Sequence, residues 1–386
     1  MSDLTNYLQK VRLQDFLSLH SVELPLKPLT VLVGPNGSGK SNVLEALKLL
    51  RKMIEDENPP SSDFIKTRIW AGGADQITIH VEASLQENMA GYTVTLQPQA
   101  TNRVAQEKLI VNGLEVLSIE NGQGQVKDED RSNQIAYKSP QVALKSAGDY
   151  GNKPVTNKLR EFIRHWEFYD FAPYRIRYGK TMGFAISQIM EPASQHLDSH
   201  GTALPYLLSQ WHENAPDHFQ AVQTGLAHAF NAKVNLDAHS TGNGRTVTLL
   251  EGYPEPIPLI KASDGTLLLL AYQVLLNQPE VPSLIAIEEP EKNFHPAWLN
   301  ILSDILQQLS KRTQVIITTH SSQLLDNFAP ESLQDHLSVL LLRNIPALGT
   351  EVIPLNQLQN DREELKMWIE EFGIGSAIFD SELRSE

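Results

Sequence analysis

Leu29-Thr30-Val31-Leu32-Val33 is an apolar, β-rich run that stops at Gly34-Pro35-Asn36-Gly37, and from Ser41 onward apolar residues recur at Val43, Leu44, Leu47, Leu50, Met53 and Ile54. The first pattern predicts a buried strand; the second predicts one face of a helix that ends near Asn58-Pro59-Pro60. Between them, Gly34 to Ser41 match G-x-x-x-x-G-K-[ST] in the strand-before, helix-after setting that this motif requires. Polyphosphate oxygens need several convergent N–H donors. Glycines let the backbone approach them, and a helix N-terminus adds a favourable dipole. Gly34, Asn36, Gly37, Ser38, Gly39, Lys40, Ser41 and Asn42 are therefore the candidate ATP-binding residues, with Lys40 on the β- and γ-phosphates and Ser41 on Mg²⁺. The bland alternative is a Gly-rich turn with a stray lysine.

A second strand, Leu284-Ile285-Ala286-Ile287, ends in Glu288-Glu289-Pro290. Ligands bind at the C-terminal ends of strands in open α/β sheets, so paired acids there fit catalysis: Glu288 for the metal and Glu289 to polarise the attacking water. A solvated strand end is the competing explanation. Lys40 and Glu288 stand 248 positions apart. A AAA+ motor or a small GTPase would place this acid far sooner. A simple kinase would not need the intervening sheet and helical segments.

Those segments differ in character. Val11, Leu13 and Phe16, then Leu19, Val22 and Leu24, suggest a hairpin ahead of the loop. Ile77 to Glu82 alternate strictly, and 92–96 and 108–111 look similar, so residues 77–145 read as a mainly antiparallel sheet. The polar, Gly-rich stretch 119–134 reads as an exposed loop, with Asp128-Glu129-Asp130 solvated. Helical periodicity returns at 156–168 and 204–231; from 264 strands and helices alternate, which argues a parallel sheet. At 386 residues, against roughly 150 per domain, the chain is expected to hold several units.

Ala262-Ser263-Asp264-Gly265 opens a helix before the acidic strand, and Thr318-Thr319-His320-Ser321 closes the strand after it. The order of these motifs, with Glu-Glu-Pro-Glu-x-x-x-His-Pro between them, resembles the ABC-type ATPases of the RecF, SMC and OLD group. It is similar above all to the small stand-alone bacterial ATPases called "AAA family", many of them linked to phage defence. The resemblance covers most of the chain, including Asp198-Ser199-His200-Gly201 and the tail from Phe372. It implies an α/β P-loop NTPase of ABC-ATPase type: a mixed or parallel sheet core with an antiparallel β lobe and an inserted helical lobe. The expected division is 1–75 (first half of the head, with Walker A), 76–150 (antiparallel β lobe), 151–258 (helical insert lobe) and 259–386 (second half of the head).

By that resemblance Ser263 and Gly265 contact the γ-phosphate bound by another subunit, and Glu288 stands in the Walker B position, with Glu for the commoner Asp. Glu289 is the catalytic base and His320 the γ-phosphate switch; with Lys40 they form the catalytic set. Glu291 to Pro296 form the interface D-loop. Each has a plain structural alternative: Ser263 as an N-cap, His320 as a strand-end histidine. Gln76 is a weak Q-loop candidate, and no adenine-stacking aromatic is assignable.

The implied function is a Mg²⁺-dependent ATPase that dimerises around ATP and gates a DNA-processing or phage-defence effector. The alternative is an ATP-binding switch with negligible turnover that sequesters or activates a toxin or nuclease. Self-association as a homodimer or higher even oligomer is expected, with DNA and a separately encoded effector as further candidate partners. A membrane transporter's ATPase fits less well, because no Leu-Ser-Gly-Gly-Gln is present.

Composition narrows the rest. The hydrophobic fraction of 41% supports a sizeable core, and a net charge of −14 argues against a protein that simply coats nucleic acid. The absence of cysteine excludes disulfide scaffolds, iron–sulfur clusters and thiol nucleophiles. The start carries no secretory pattern, and the densest apolar run, Leu267 to Leu276, is too short to span a bilayer, so the expected location is the cytoplasm, with no membrane partner. Lys158, Arg160, Arg164, Arg175, Arg177 and Lys180, interleaved with aromatics, could hold nucleic acid, or form a core element with a charged edge. Arg175 or Arg177 could instead touch nucleotide or partner. His196 and His200 have zinc-like spacing but no evident third ligand.

Overall fold

The computed structural model describes residues 4–100, 103–138, 141–178, 196–230, 235–241, 244–250, 255–361 and 363–380. Lys180, residue 231 and the end of the tail, 381–386, lie outside the described residues.

The chain begins with β1 (Asn6–Phe16), β2 (Leu19–Pro25) and β3 (Leu29–Val33), then α1 (Lys40–Glu55) and α2 (Ser62–Lys66). Next come β4 (Ile77–Leu85), β5 (Asn88–Leu96), β6 (Val104–Val111), β7 (Leu114–Glu120), β8 (Gln123–Lys127) and β9 (Gln134–Lys138). The middle holds α3 (Leu144–Ala147), α4 (Pro154–Arg164), β10 (Trp166–Tyr169), α5 (Pro173–Tyr178), α6 (Leu204–Asn214), α7 (Pro216–Phe230), β11 (Asn235–Thr241), β12 (Gly244–Leu250) and β13 (Ile257–Pro258). Then follow α8 (Asp264–Asn277), β14 (Leu284–Glu288), α9 (Leu299–Arg312), β15 (Gln314–Thr319), α10 (Ser322–Leu325), β16 (Leu337–Ile345), β17 (Gly349–Pro354), α11 (Leu355–Asp361), α12 (Glu363–Phe372) and α13 (Ile374–Asp380).

Among the described residues one sheet runs β2-β1-β4-β5-β6-β7-β8-β9, antiparallel throughout. It takes in the N-terminal hairpin, through long-range pairing of β1 with β4. A second sheet runs β10-β14-β15-β3-β16-β17, parallel except for β17. β11, β12 and β13 form a small third sheet.

Alternation along the parallel strands builds two cores. Val31, Val33, Ile285, Ile287, Val315 and Ile317 pack with α8, α9 and the helices α6 and α7. Leu32, Leu284, Ala286, Ile316 and Leu340 pack with α1 and the antiparallel sheet. The sheet thus lies between α1 and α8. α8 is buried continuously from Thr266 to Leu275, as an apolar central helix must be. Gln314 joins the two sheets: its amide accepts from the Leu8 N–H at 2.8 Å and donates to the Leu8 carbonyl at 2.8 Å, where the register of β1 shifts.

Three expectations are corrected. The stretch 119–134 is not one exposed loop; it contains β8, joined to β7 by Asn121-Gly122 with φ of 49° and 76°. Positive φ at both central residues suits a tight hairpin turn, and Asn-Gly adopts it readily. Two acids of the triplet there are structural, while Asp130 is exposed as expected. Asp128 is buried and accepts from Lys153 Nζ at 2.7 Å, while Glu129 caps α4 by accepting from Val155 and Thr156 N–H groups at 2.9 and 2.7 Å. The helix expected over 156–168 stops at Arg164, because the β-rich Trp166 to Tyr169 join the parallel sheet beside β14. Among the described residues no helix is long and apolar enough to cross a membrane.

Candidate nucleotide site

β3, β14 and β15 run parallel with β15 in the middle, so the segments leaving their C-terminal ends converge. These segments are the Gly-rich loop, Glu288-Glu289 and Thr319-His320. Two glycines in the loop are dictated by space. A Cβ on Gly34 would stand 2.2 Å from the Leu342 carbonyl oxygen. One on Gly39, whose φ is 104°, would stand 2.4 Å from Thr350 Oγ1. Thr350 donates to the Ser38 carbonyl at 3.0 Å and shares a 2.7 Å hydrogen bond with Ser18. The Asn42 amide donates to Ser18 Oγ at 2.8 Å. The loop is therefore braced from outside by the β1–β2 turn and β17. Pro35, Asn36 and Gly37 are exposed at its crest.

Lys40 is buried, and its ammonium donates to the Gly34 and Pro35 carbonyls at 2.7 and 3.0 Å. Burial pushes it below the usual lysine range, while Glu289, Glu291 and Glu288 pull it back. The Ser41 hydroxyl donates to Glu288 Oε1. Glu289 follows with φ of 44°, a left-handed conformation that costs a non-glycine residue energy. Its N–H meets the Thr318 carbonyl at 3.0 Å, and its carboxylate lies 3.2 Å from His320 Nδ1. Thr319 Oγ1 donates to Glu291 at 2.6 Å, while Glu291 Oε2 is buried without a partner. Burial raises the Glu291 carboxyl above its ordinary value, opposed by that Thr319 bond.

Ser263 and Gly265 sit elsewhere, at the start of α8. Ser263 Oγ accepts from the Thr266 N–H at 3.2 Å, an N-cap. A Cβ on Gly265 would stand 2.9 Å from the Trp298 ring. Arg177 brackets the turn: it donates to the Ala262 carbonyl at 2.6 Å and pairs with Asp264 at 2.6 Å. Sequence reasoning gave Arg177 no definite role and missed Ser18 and Thr350, which act through side-chain hydrogen bonds, and Trp298, which acts through packing; none of the three carries a motif.

Several of the remaining candidates have local partners. Arg160 pairs with Asp149 and Arg164 with Glu161, while Trp166, Phe168 and Tyr169 are buried, so those aromatics cannot stack on bases. Asp198 caps a turn through Thr202 and Ala203, His200 Nδ1 meets the Asp170 carbonyl at 3.0 Å, and His196 lies 3.5 Å from Glu280.

The donor set suits Mg²⁺. A hydroxyl and a carboxylate are hard oxygen ligands, and Mg²⁺ is held in such sites by one or two carboxylates plus phosphate oxygens and water. Among the described residues no group of three or more His, Cys, Asp or Glu gathers to hold a metal. The Ser41–Glu288 pair at the head of a phosphate loop does not need one.

Comparison with known proteins agrees with this fold. An SMC head bound to the C-winged helix domain of ScpA superposes with a TM-score of 0.54, at 12% identity, over 92% of this chain and 99% of that one. An SMC head with an extended coiled coil, bound to the C-terminal domain of ScpA derived from Pyrococcus furiosus, gives 0.50 at 14% identity, over 94% and 100%. At such identities the likeness concerns the fold. Locally, the chain is 44% identical to the OLD nuclease of Thermus scotoductus over 43 residues, 11% of this chain and 8% of that protein. It is 34% identical to the DNA replication and repair protein RecF of Streptomyces avermitilis over 98 residues, 25% of each. The chain thus matches only a minor part of these relatives' lengths. Fold, family match and relatives together place the chain among the ABC-type ATPases of the RecF, SMC and OLD group. Residues 29–326 match the family described as "AAA domain, putative AbiEii toxin, Type IV TA system", and the chain belongs to that family.

Proposed function

We propose that the protein is a Mg²⁺-dependent ATPase that dimerises head to head around ATP and gates a DNA-processing or phage-defence effector. The observation that carries this reading is the convergence of Lys40, Ser41–Glu288 and Glu289–His320 at the ends of three neighbouring strands. Ser263 and Gly265 make their contacts with Thr266 and Trp298 instead, on the helix across the sheet from α1. A second copy could bring those two residues to the γ-phosphate.

In this mechanism the loop N–H groups and Lys40 bind the phosphates. Ser41 and Glu288 would hold Mg²⁺, which supplies charge neutralisation at the phosphate oxygens. Glu289 accepts a proton from the water that attacks the γ-phosphorus, and the bond to the β-phosphate oxygen breaks. His320, beside Glu289, orients that carboxylate and senses the transferred group.

The test is ATP hydrolysis by the purified protein beside Glu289→Gln, with molecular size measured with and without ATP and with double-stranded DNA. Turnover together with an ATP-trapped dimer of the variant supports the reading. ATP bound without turnover, in an assembly indifferent to DNA, would replace the enzyme with an ATP-binding switch. A variant that hydrolyses normally would remove Glu289 as the base.

A further inference from the structure

α12 buries Leu365 and Ile369, yet Met367, Trp368 and Phe372 are 66%, 45% and 53% exposed. Trp368 and Phe372 lie against each other, with ring centroids 5.9 Å apart. One exposed apolar side chain needs no explanation; three large ones within two turns do. At about 100° per residue, Glu364 and Glu371 fall on the same face as Trp368, four positions before it and three after. Both are exposed, and neither joins an ion pair among the described residues. Lys366 falls on the opposite side of the helix.

The face is also well placed. α12 packs on α13, and α13 packs on α10, which begins just after His320. Asp326, after α10, caps α13 by accepting from the Gly375 and Ser376 N–H groups at 2.7 and 2.9 Å. Gly375 approaches so closely that a Cβ would stand 2.0 Å from the Ser322 carbonyl oxygen.

We propose that this face of α12 is a docking site for a basic amphipathic segment of a second protein, apolar anchors flanked by Lys or Arg. The inference deepens the reading of an effector-gating protein, on which it rests, by naming the surface. Charge selects the occupant. A self-complementary contact between two copies would set Glu364 and Glu371 against the same carboxylates, in a chain of net charge −14. Nucleic acid and anionic lipid carry that same sign. A cationic amphipathic segment would satisfy the carboxylates and cover the rings.

The experiment uses the full chain and two fluorescein-labelled helical peptides with identical Leu and Phe anchors, one flanked by Lys and Arg, the other by Glu. The basic peptide is expected to bind, and to bind at least about tenfold more weakly to Trp368→Ser/Phe372→Ser. Glu364→Lys/Glu371→Lys should reverse the preference toward the acidic peptide. Should the first variant melt early, the charge-reversed one carries the test. Equal binding of both peptides, or binding unchanged in the variants, would overturn the proposal. So would loss of a wild-type dimer on Trp368→Ser/Phe372→Ser, which would give the face to a second copy. ATP affinity measured in the same samples should match wild type. Failure of the wild type to bind ATP would defeat the nucleotide reading and leave the docking result standing.

Discussion

Ser41 and Glu288, 247 positions apart in the chain, meet through a hydrogen bond from the serine hydroxyl to the carboxylate. The loop after β3 and the acids at the end of β14 face each other across β15, which lies between the two strands.

Lys40→Ala should abolish ATP binding. The ammonium is the buried cation of the loop, and losing charge-assisted bonds to phosphate costs on the order of 100-fold in affinity or more. Titration with a fluorescent ATP analogue measures this. Undiminished affinity would mean that the loop is not the phosphate site.

Replacing Glu289 separates chemistry from backbone strain. Glu289→Gln should keep ATP affinity while turnover falls by roughly 10²–10⁴-fold. Glu289→Gly should be equally inactive, yet melt no lower than wild type, because glycine accepts the φ of 44° without penalty. A clear drop in melting temperature for the glycine variant would show that the side chain's contact with His320 outweighs the strain.

Arg177 is expected to act as a positioning residue for the turn that carries Ser263. Arg177→Ala should leave ATP binding near wild type and lower turnover and ATP-driven dimerisation together, by about tenfold. Arg177→Asp combined with Asp264→Arg should recover part of the loss, because the pair is re-formed with opposite polarity. Equal losses in the single and double variants would reduce Arg177 to a packing role.

Glu107 gives the antiparallel sheet a pH dependence. It is buried, and it accepts from Tyr92 Oη at 2.8 Å and from the Leu144 N–H at 2.7 Å. Burial raises its carboxyl from 4.5 to about 7, against those hydrogen bonds. A raised folded-state value means that the native state holds the proton longer than the unfolded chain does. The stability it contributes is full below about 4.5 and is lost as pH rises through about 7. Denaturant midpoints at several pH values should therefore fall across that window, and Glu107→Gln should flatten the slope. An unchanged slope in the variant would assign the dependence to another group.

Much of the head was legible because its signals are local. A strand ending in glycines before a helix, or in two acids, is written in consecutive residues such as Val33-Gly34 and Ile287-Glu288. The hidden parts depend on distant partners. Nothing in Asp128 announces Lys153, and nothing in Thr350 announces Ser38, since each contact exists only after the sheets have formed. The β7–β8 hairpin was hidden differently: polar composition outweighed Asn121-Gly122, a local turn signal that was present. Arg177 stood among aromatics and other cations, and its charge alone could not distinguish a bond to the Ala262 carbonyl from a bond to nucleic acid.

The place of β3 bears on how the protein comes into being. Its two neighbours are β15 and β16, at Gln314–Thr319 and Leu337–Ile345. During synthesis, the strand that carries the phosphate loop cannot pair on either edge until Gln314–Thr319 and Leu337–Ile345 have been made. Long-range parallel pairing is slow, and unpaired strands aggregate. β1 finds both of its neighbours by Leu85, so the pairing of the β1–β2 hairpin with β4 needs none of the residues for which β3 must wait.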